Sequence, residues 1–190
     1  MPDTFAKSFG LVIAYLLPGF IGLWAVSLFD PGTQRWLGRA ASGPTTVGDF
    51  FFAVVASLGV GMLLSSLRWI VFDQGLNRTV FKRELGGPPD HAFEKIGEDP
   101  ATYAAFDRFV ADHYQYYQFN SNTAVALIFA YLAWTLSGRV TGAPVPTLLA
   151  SLSVLAVLVG VEFVLVQGAA DCLKRYRKKM SQLLGPGGTP

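Results

Sequence analysis

FFFAVVASLGVGMLLSSLRWIVF, Phe50 to Phe72, is 23 residues long and carries a single charge, Arg68. A helix rises 1.5 Å per residue, so this block covers about 34 Å, enough to cross a hydrocarbon core of about 30 Å. Three further blocks share its character, at about Phe9–Phe29, Phe119–Ser137 and Thr147–Gln167. Across the 190 residues 52% are hydrophobic and only 15% are charged. Soluble domains carry about 25% charged residues. The missing charge is concentrated in the four blocks, which predicts an all-α membrane protein with four transmembrane helices. The apolar stretch of the first block is too long for the h-region of a signal peptide, so it reads as a retained span.

Lysine and arginine set the orientation. The N-terminal stub, the 73–118 loop and the tail from 168 hold Lys7, Arg78, Lys82, Arg83, Lys95, Arg108, Lys174, Arg175, Arg177, Lys178 and Lys179. The other two loops hold Arg35, Arg39 and Arg139. Eleven against three places both termini and the long loop in the cytoplasm of a plasma, or bacterial inner, membrane. Trp24, Trp36, Trp69 and Trp134 fall near the span ends, where interfacial aromatics gather. The chain thus divides into a first transmembrane hairpin (1–72), a cytoplasmic helical loop (73–118), a second hairpin (119–167) and a basic tail (168–190). The outer turns, at Asp30-Pro31-Gly32 and between Gly138 and Pro146, leave no room for a receptor domain.

In the cytoplasmic loop, Gly86-Gly87-Pro88-Pro89 separates two helical stretches, LNRTVFKREL (76–85) and HAFEKIG (91–97). Asp99-Pro100 is then a helix start, an N-cap carboxylate followed by proline at the first helical position. No glycine or proline intervenes until Gly138, and Tyr103, Phe106, Val110, Tyr114 and Tyr117 recur at helical spacing. One continuous helix is expected from about Pro100 to Ser137, about 57 Å long, with its lower half standing out of the membrane as a stalk. Eight acidic and five basic residues leave the loop a net charge of −3, which disfavours lying on an anionic membrane surface.

Catalytic and metal motifs are absent: no Gly-rich phosphate loop, no nucleophile elbow, no HExxH and no cysteine pair. No cofactor, metal or nucleic acid is expected. Asp90-His91 with Glu94 reads as a solvated loop. Cys172, alone beside the basic tail, reads as a reduced thiol, with palmitoylation as the alternative.

The informative polar residues lie inside the apolar blocks. Arg68 and Glu162 sit four and five residues before the cytoplasmic ends of their spans, and Asn120 and Asn122 enter the third span from the same side. All four fall in one layer of the inner leaflet. Three readings apply: an Arg68–Glu162 ion pair or amide ties that hold helices together, a polar gate at the mouth of a pore, or snorkelling of Arg68. Ser57, Gly61 and Ser65 form a small-xxx-small face suited to close helix packing. Pro18-Gly19 should kink the first span and free a carbonyl. The strip containing His113, Tyr114, Tyr116, Tyr117 and Gln118 is richer in aromatic and amide groups than anchoring requires. It is expected to contact another helix, subunit or partner. Lys174, Arg175, Arg177, Lys178 and Lys179 read as an anchor for anionic headgroups.

RWIVFD (68–73) together with HYQYYQFNSN (113–122) resembles small four-span bacterial membrane proteins of unassigned function, over about residues 62–127. The resemblance implies the four-span fold and carries no established activity to transfer. By analogy of architecture alone, proteins of this size also serve as pore-forming or sensing membrane subunits of bacterial antiphage systems. The leading expectation is a non-enzymatic homo-oligomeric channel or effector pore, regulated through the cytoplasmic loop. Several subunits are needed, because one four-helix bundle is too narrow for a water-filled lumen. The alternative is an accessory or scaffold subunit that anchors a cytoplasmic partner through residues 73–118. A lipid-acting enzyme using Glu162, Asp112 or His113 ranks last of the three, because these groups form no recognisable acid–base pair.

Overall fold

The computed structural model describes residues 2–38, 46–76, 100–141 and 148–184. Among them the protein is all-helical, with no strand. In chain order the elements are α1 (Pro2–Val26), α2 (Pro31–Trp36), α3 (Val47–Arg68), a π-helical segment (Trp69–Leu76), α4 (Pro100–Phe109), a second π segment (Val110–Tyr114), α5 (Gln115–Thr141) and α6 (Leu148–Leu184). Two helical stretches are long and apolar enough to cross a membrane, Val47–Phe72 and Ser151–Leu183. Both turn large apolar side chains outward: Phe50, Phe51, Met62 and Leu63 on one, Val157, Phe163 and Val164 on the other. Monomers dissolved in water rarely expose continuous apolar surface of this extent.

Local chemistry fixes the helix ends away from the π segments. Asp30 caps α2: its carboxylate accepts from the Thr33 backbone N–H and from the Thr33 hydroxyl, each at 2.6 Å. The hydroxyl bond, then the backbone bond, holds the Asp30 carboxyl below the usual carboxylate range. Thr46 and Asp49 form a capping box at the start of α3. Arg35 lies 3.6 Å from Asp49, and the rings of Trp36 and Phe52 stack at 6.0 Å, which seats α2 on the first turns of α3.

α1 lies between α3 and α5, and small residues make that packing possible. A methyl group at Gly19 would overlap the Ser57 carbonyl, and one at Gly61 would overlap the Tyr15 carbonyl. The two backbones therefore touch where α1 and α3 cross. With no side chains between them, close dispersion contacts across the small residues hold the crossing together. On the other side of α1, Ala25 clusters with Ala130 and Ala133 of α5, and Trp24 packs against them. Asn122 of α5 meets Ala14 of α1, so these two helices run in the same direction.

The helix expected from Pro100 to Ser137 is present as an uninterrupted helical run to Thr141, but it is not α-helical throughout. Val110–Tyr114 is wound as π-helix, which widens the turn and rotates the faces below it relative to those above. Nor does its lower half stand alone. α6 continues through residue 167 without a break, for 37 residues, and runs antiparallel to α5 and α4. Lys179 Nζ lies 5.2 Å from the Phe109 ring centroid, the Tyr114 and Tyr176 rings are 5.4 Å apart, and Asn120 faces Gly168. The seam of α6 comprises Leu158, Glu162, Leu165, Ala169, Cys172, Tyr176 and Met180, a spacing of three and four residues that extends well past the apolar block.

Residues 77–99 and 142–147 lie outside the described residues. With them lie most of the LNRTVFKREL and all of the HAFEKIG expectations, His91 and Glu94, and most of the Gly138–Pro146 turn.

Candidate functional site

The end of the bundle where α3 finishes and α5 begins, here called the basal end, gathers most of the polar and aromatic side chains. Arg68, the last residue of α3, is only 4% exposed. Its guanidinium carbon sits 5.2 Å from the ring centroid of Tyr117, which is itself buried. A ring face attracts a cation most where water is excluded, so this pair ties α3 to α5. The Tyr117 ring lies 5.9 Å from that of Tyr114, and Tyr114 reaches Tyr176. One cation and three tyrosines thus connect α3, α5 and α6. Each π segment abuts this cluster: Arg68 directly precedes the first, Tyr114 ends the second, and Tyr117 follows three residues later.

Asn122 serves a different purpose. Proline has no N–H, so Pro18 leaves the carbonyl of Ala14, four residues earlier, without its helical donor. Asn122 Nδ2 donates to that carbonyl at 3.2 Å, from a position with 0% exposure. The kink expected at Pro18-Gly19 and the asparagine expected in a polar layer are two halves of one interaction. Asn122 Oδ1 is buried and accepts no hydrogen bond from the described residues.

The single polar layer inferred from depth separates into distinct sites. Arg68 faces Tyr117, Asn122 faces α1, and Asn120 faces α6, its Nδ2 only 2.9 Å from where a Gly168 methyl would sit. Residues two apart on a helix point about 200° from each other, which is why Asn120 and Asn122 reach opposite neighbours. The Arg68–Glu162 ion pair is not formed. Glu162 lies on the α6 seam against α5, and its buried Oε1 accepts no hydrogen bond from the described residues.

The aromatic strip also divides. Tyr114 and Tyr117 make their ring contacts within the chain, while Tyr116 is 60% exposed. His113 and Gln118 are half-buried, and His113 Nε2 is enclosed with no hydrogen-bond partner among the described residues. Ser57 and Gly61 sit at the crossing with α1, and Ser65 is half-buried beside it. In the basic tail, Arg175 pairs with Asp171 at 2.8 Å and Lys179 covers Phe109. Lys174 and Lys178 are exposed and Arg177 is half-buried. The five cations are thus carried on a helix packed against α4 and the second π segment. Among the described residues no three or more His, Cys, Asp or Glu side chains gather where they could hold a metal ion.

The chain matches no protein-family model, no curated protein and no solved structure. Its reading rests on these side chains.

Sequence reasoning passed over Phe109 and Tyr176. The seam spacing from Leu165 to Met180 was the available signal for Tyr176. It was obscured because the basic residues of the tail read first as a membrane anchor.

Proposed function

We propose that the protein is a four-span, non-catalytic membrane protein that holds a partner protein at the cytoplasmic face. The observation that carries this reading is the use made of the intramembrane polar groups. Arg68 and Asn122 contact groups within their own subunit, which favours a static, tied bundle over a lumen-facing gate. α1 and α5 lie side by side with α3, so a bilayer that receives α3 receives them too, and α6 supplies the fourth span. The basal extension, made of α4, the second π segment and the end of α6, then stands in the cytoplasm. There Tyr103 and Tyr116 are exposed and offer a docking surface.

The experiment combines topology with conduction. Cysteine labelling from the cytoplasmic side should reach positions 103 and 174 and not position 47, and the reconstituted protein should pass no ions through liposomes. Labelling of 47 from the cytoplasm overturns the topology, and flux above that of empty liposomes overturns the scaffold reading.

A second reading, an oligomeric channel or effector pore, is favoured by Glu162. A carboxylate within a span, with no partner among the described residues, is suited to line a path completed by other subunits. Detergent-solubilised protein of oligomeric mass, with flux abolished by Glu162→Gln, would support it. A monomeric mass would remove it.

A further inference from the structure

α6 leaves one charge unsupported. Between Leu148 and Ala170 its one ionisable side chain is Glu162, and α5, against which this part of α6 packs, has no charged residue from Gln115 to Gly138. Asp171, nine residues further along α6, is about 14 Å away and of the same sign. Glu162 Oε1 is enclosed, and among the described residues nothing donates to it. A carboxyl in an apolar setting is costly in either form, because even the neutral acid keeps an unsatisfied acceptor.

The nearer sources of relief fail on geometry. Side chains of an α-helix lean toward its N-terminus. α6 descends toward the cytoplasm, so Glu162 leans toward the bilayer centre and away from the inner headgroups. Arg68, the cation at a similar depth, is buried against the Tyr117 ring, and a second copy of the chain brings that same buried arginine and a second acid. Glu162 itself is half-buried. Leu155, Val159 and Val166, seven and three residues before it and four after, are exposed on its flank. A further helix laid along that flank meets the carboxyl from outside the seam.

We propose that this flank of α6 binds a transmembrane helix of a partner protein, one that carries a lysine or arginine at the level of Glu162. Charges within a bilayer pair with one another, and the partner's cation supplies the donor that the carboxylate lacks. Glu162 lies five residues before the cytoplasmic end of its span, so that cation sits in the inner leaflet, about 8 Å from the boundary. Leu155, Val159 and Val166 add contacts that hydrocarbon supplies equally well, which leaves the charge to set the specificity. This rests on the reading of the protein as the holder of a partner, and it states what that partner carries: a basic span of its own.

The test uses the full chain in phosphatidylcholine vesicles, with synthetic transmembrane peptides of leucine and alanine that bear an acceptor fluorophore. Energy transfer from the chain's tryptophans reads binding. A peptide with one lysine five residues from its end should bind about tenfold more tightly than the same peptide with leucine there, the scale of a polar contact between model spans. Glu162→Gln should bring the two to parity. Moving the lysine to the peptide's midpoint should do the same with the wild type, and this comparison decides if Glu162→Gln fails to fold. Equal binding of the lysine and leucine peptides by the wild type, an unchanged preference in Glu162→Gln, or undiminished binding of the midpoint peptide overturns the proposal. Self-association that depends on Glu162, without a lysine preference, assigns the carboxyl to copies of this chain and overturns it as well. Ion flux in the same vesicles, or cytoplasmic labelling of position 47, ends the scaffold reading. A correctly oriented chain that passes no ions and shows no lysine preference ends only this inference.

Discussion

The two long apolar helices, α3 and α6, have similar compositions and opposite ways of packing. α3 presses its backbone against α1 at Gly61, where no Cβ fits, and it buries Ser57, Leu64 and Arg68 along one face. α6 touches its neighbours through side chains along one seam, and Leu152, Val157, Val159 and Val164 all point away from the bundle. The contrast separates two properties: apolar content and length say which helices could cross a bilayer, while small residues say which helices touch. Hydrocarbon solvates Leu and Val as well as a protein does, so only close backbone approach or polar ties provide a net reason to associate.

Glycine substitutions should break this contrast with the largest effect. Gly61→Ala drives a methyl into the Tyr15 carbonyl, and the two helices must separate. A loss of about 3 kcal/mol or more is expected in unfolding followed by circular dichroism in detergent. Gly59 on the same helix and Gly160 on α6 have nothing within 4 Å of an added methyl. Alanine at either should be neutral or stabilising by up to about 1 kcal/mol through helix propensity. Equal losses at Gly61 and Gly59 would mean that the α1–α3 crossing is not held by backbone contact.

The next effect concerns the α1–α5 side of the bundle, where a polar tie replaces the glycine contact. Asn122→Leu removes the donor to the Ala14 carbonyl and should cost about 1–3 kcal/mol, since that carbonyl then stays unsatisfied in an apolar setting. Pro18→Ala returns a backbone N–H to the same carbonyl, so the asparagine becomes dispensable. The two substitutions should therefore be non-additive, with a coupling of about 1 kcal/mol in a double-mutant cycle. Strict additivity would show that Asn122 serves α1 in some other way.

This pair also marks the limit of what the sequence discloses. Proline at 18 implies a free carbonyl at 14, and Asn122 within an apolar block implies a buried partner, and both inferences follow from one-dimensional rules. Joining them requires knowing that α1 and α5 are parallel neighbours at that register, which no local pattern encodes. The same holds for Arg68. Its depth suggested Glu162 as counter-ion, but α6 packs on α5, and the Tyr117 ring on α5 is what meets the guanidinium. Depth along a span is legible from residue counting, whereas rotation about the helix axis is set by packing. Two π segments near the basal end rotate it further. The helical run from Pro100 was legible because Asp99-Pro100 opens it and no glycine or proline interrupts it. Its pairing with the tail was not, because Tyr176 and Met180 are embedded among five cations.

The smallest effects belong to that tail, and they sharpen which contacts hold it. Tyr176→Ala removes the ring that meets Tyr114 and should cost about 1 kcal/mol, read as earlier proteolytic release of the C-terminal segment. Arg175→Ala removes an ion pair whose side chains are 65% and 56% exposed. Solvent screens such a pair, so the expected loss is at most about 0.5 kcal/mol, and it should vanish at high salt. If Arg175→Ala proved the more damaging, the tail would be held by charge, and the seam of Leu165, Ala169, Cys172, Tyr176 and Met180 would be incidental. The apolar seam favours the opposite order. Met180 is buried at 3% exposure, and the exposed lysines at 174 and 178 lie off that face, where they neither assist nor oppose the packing.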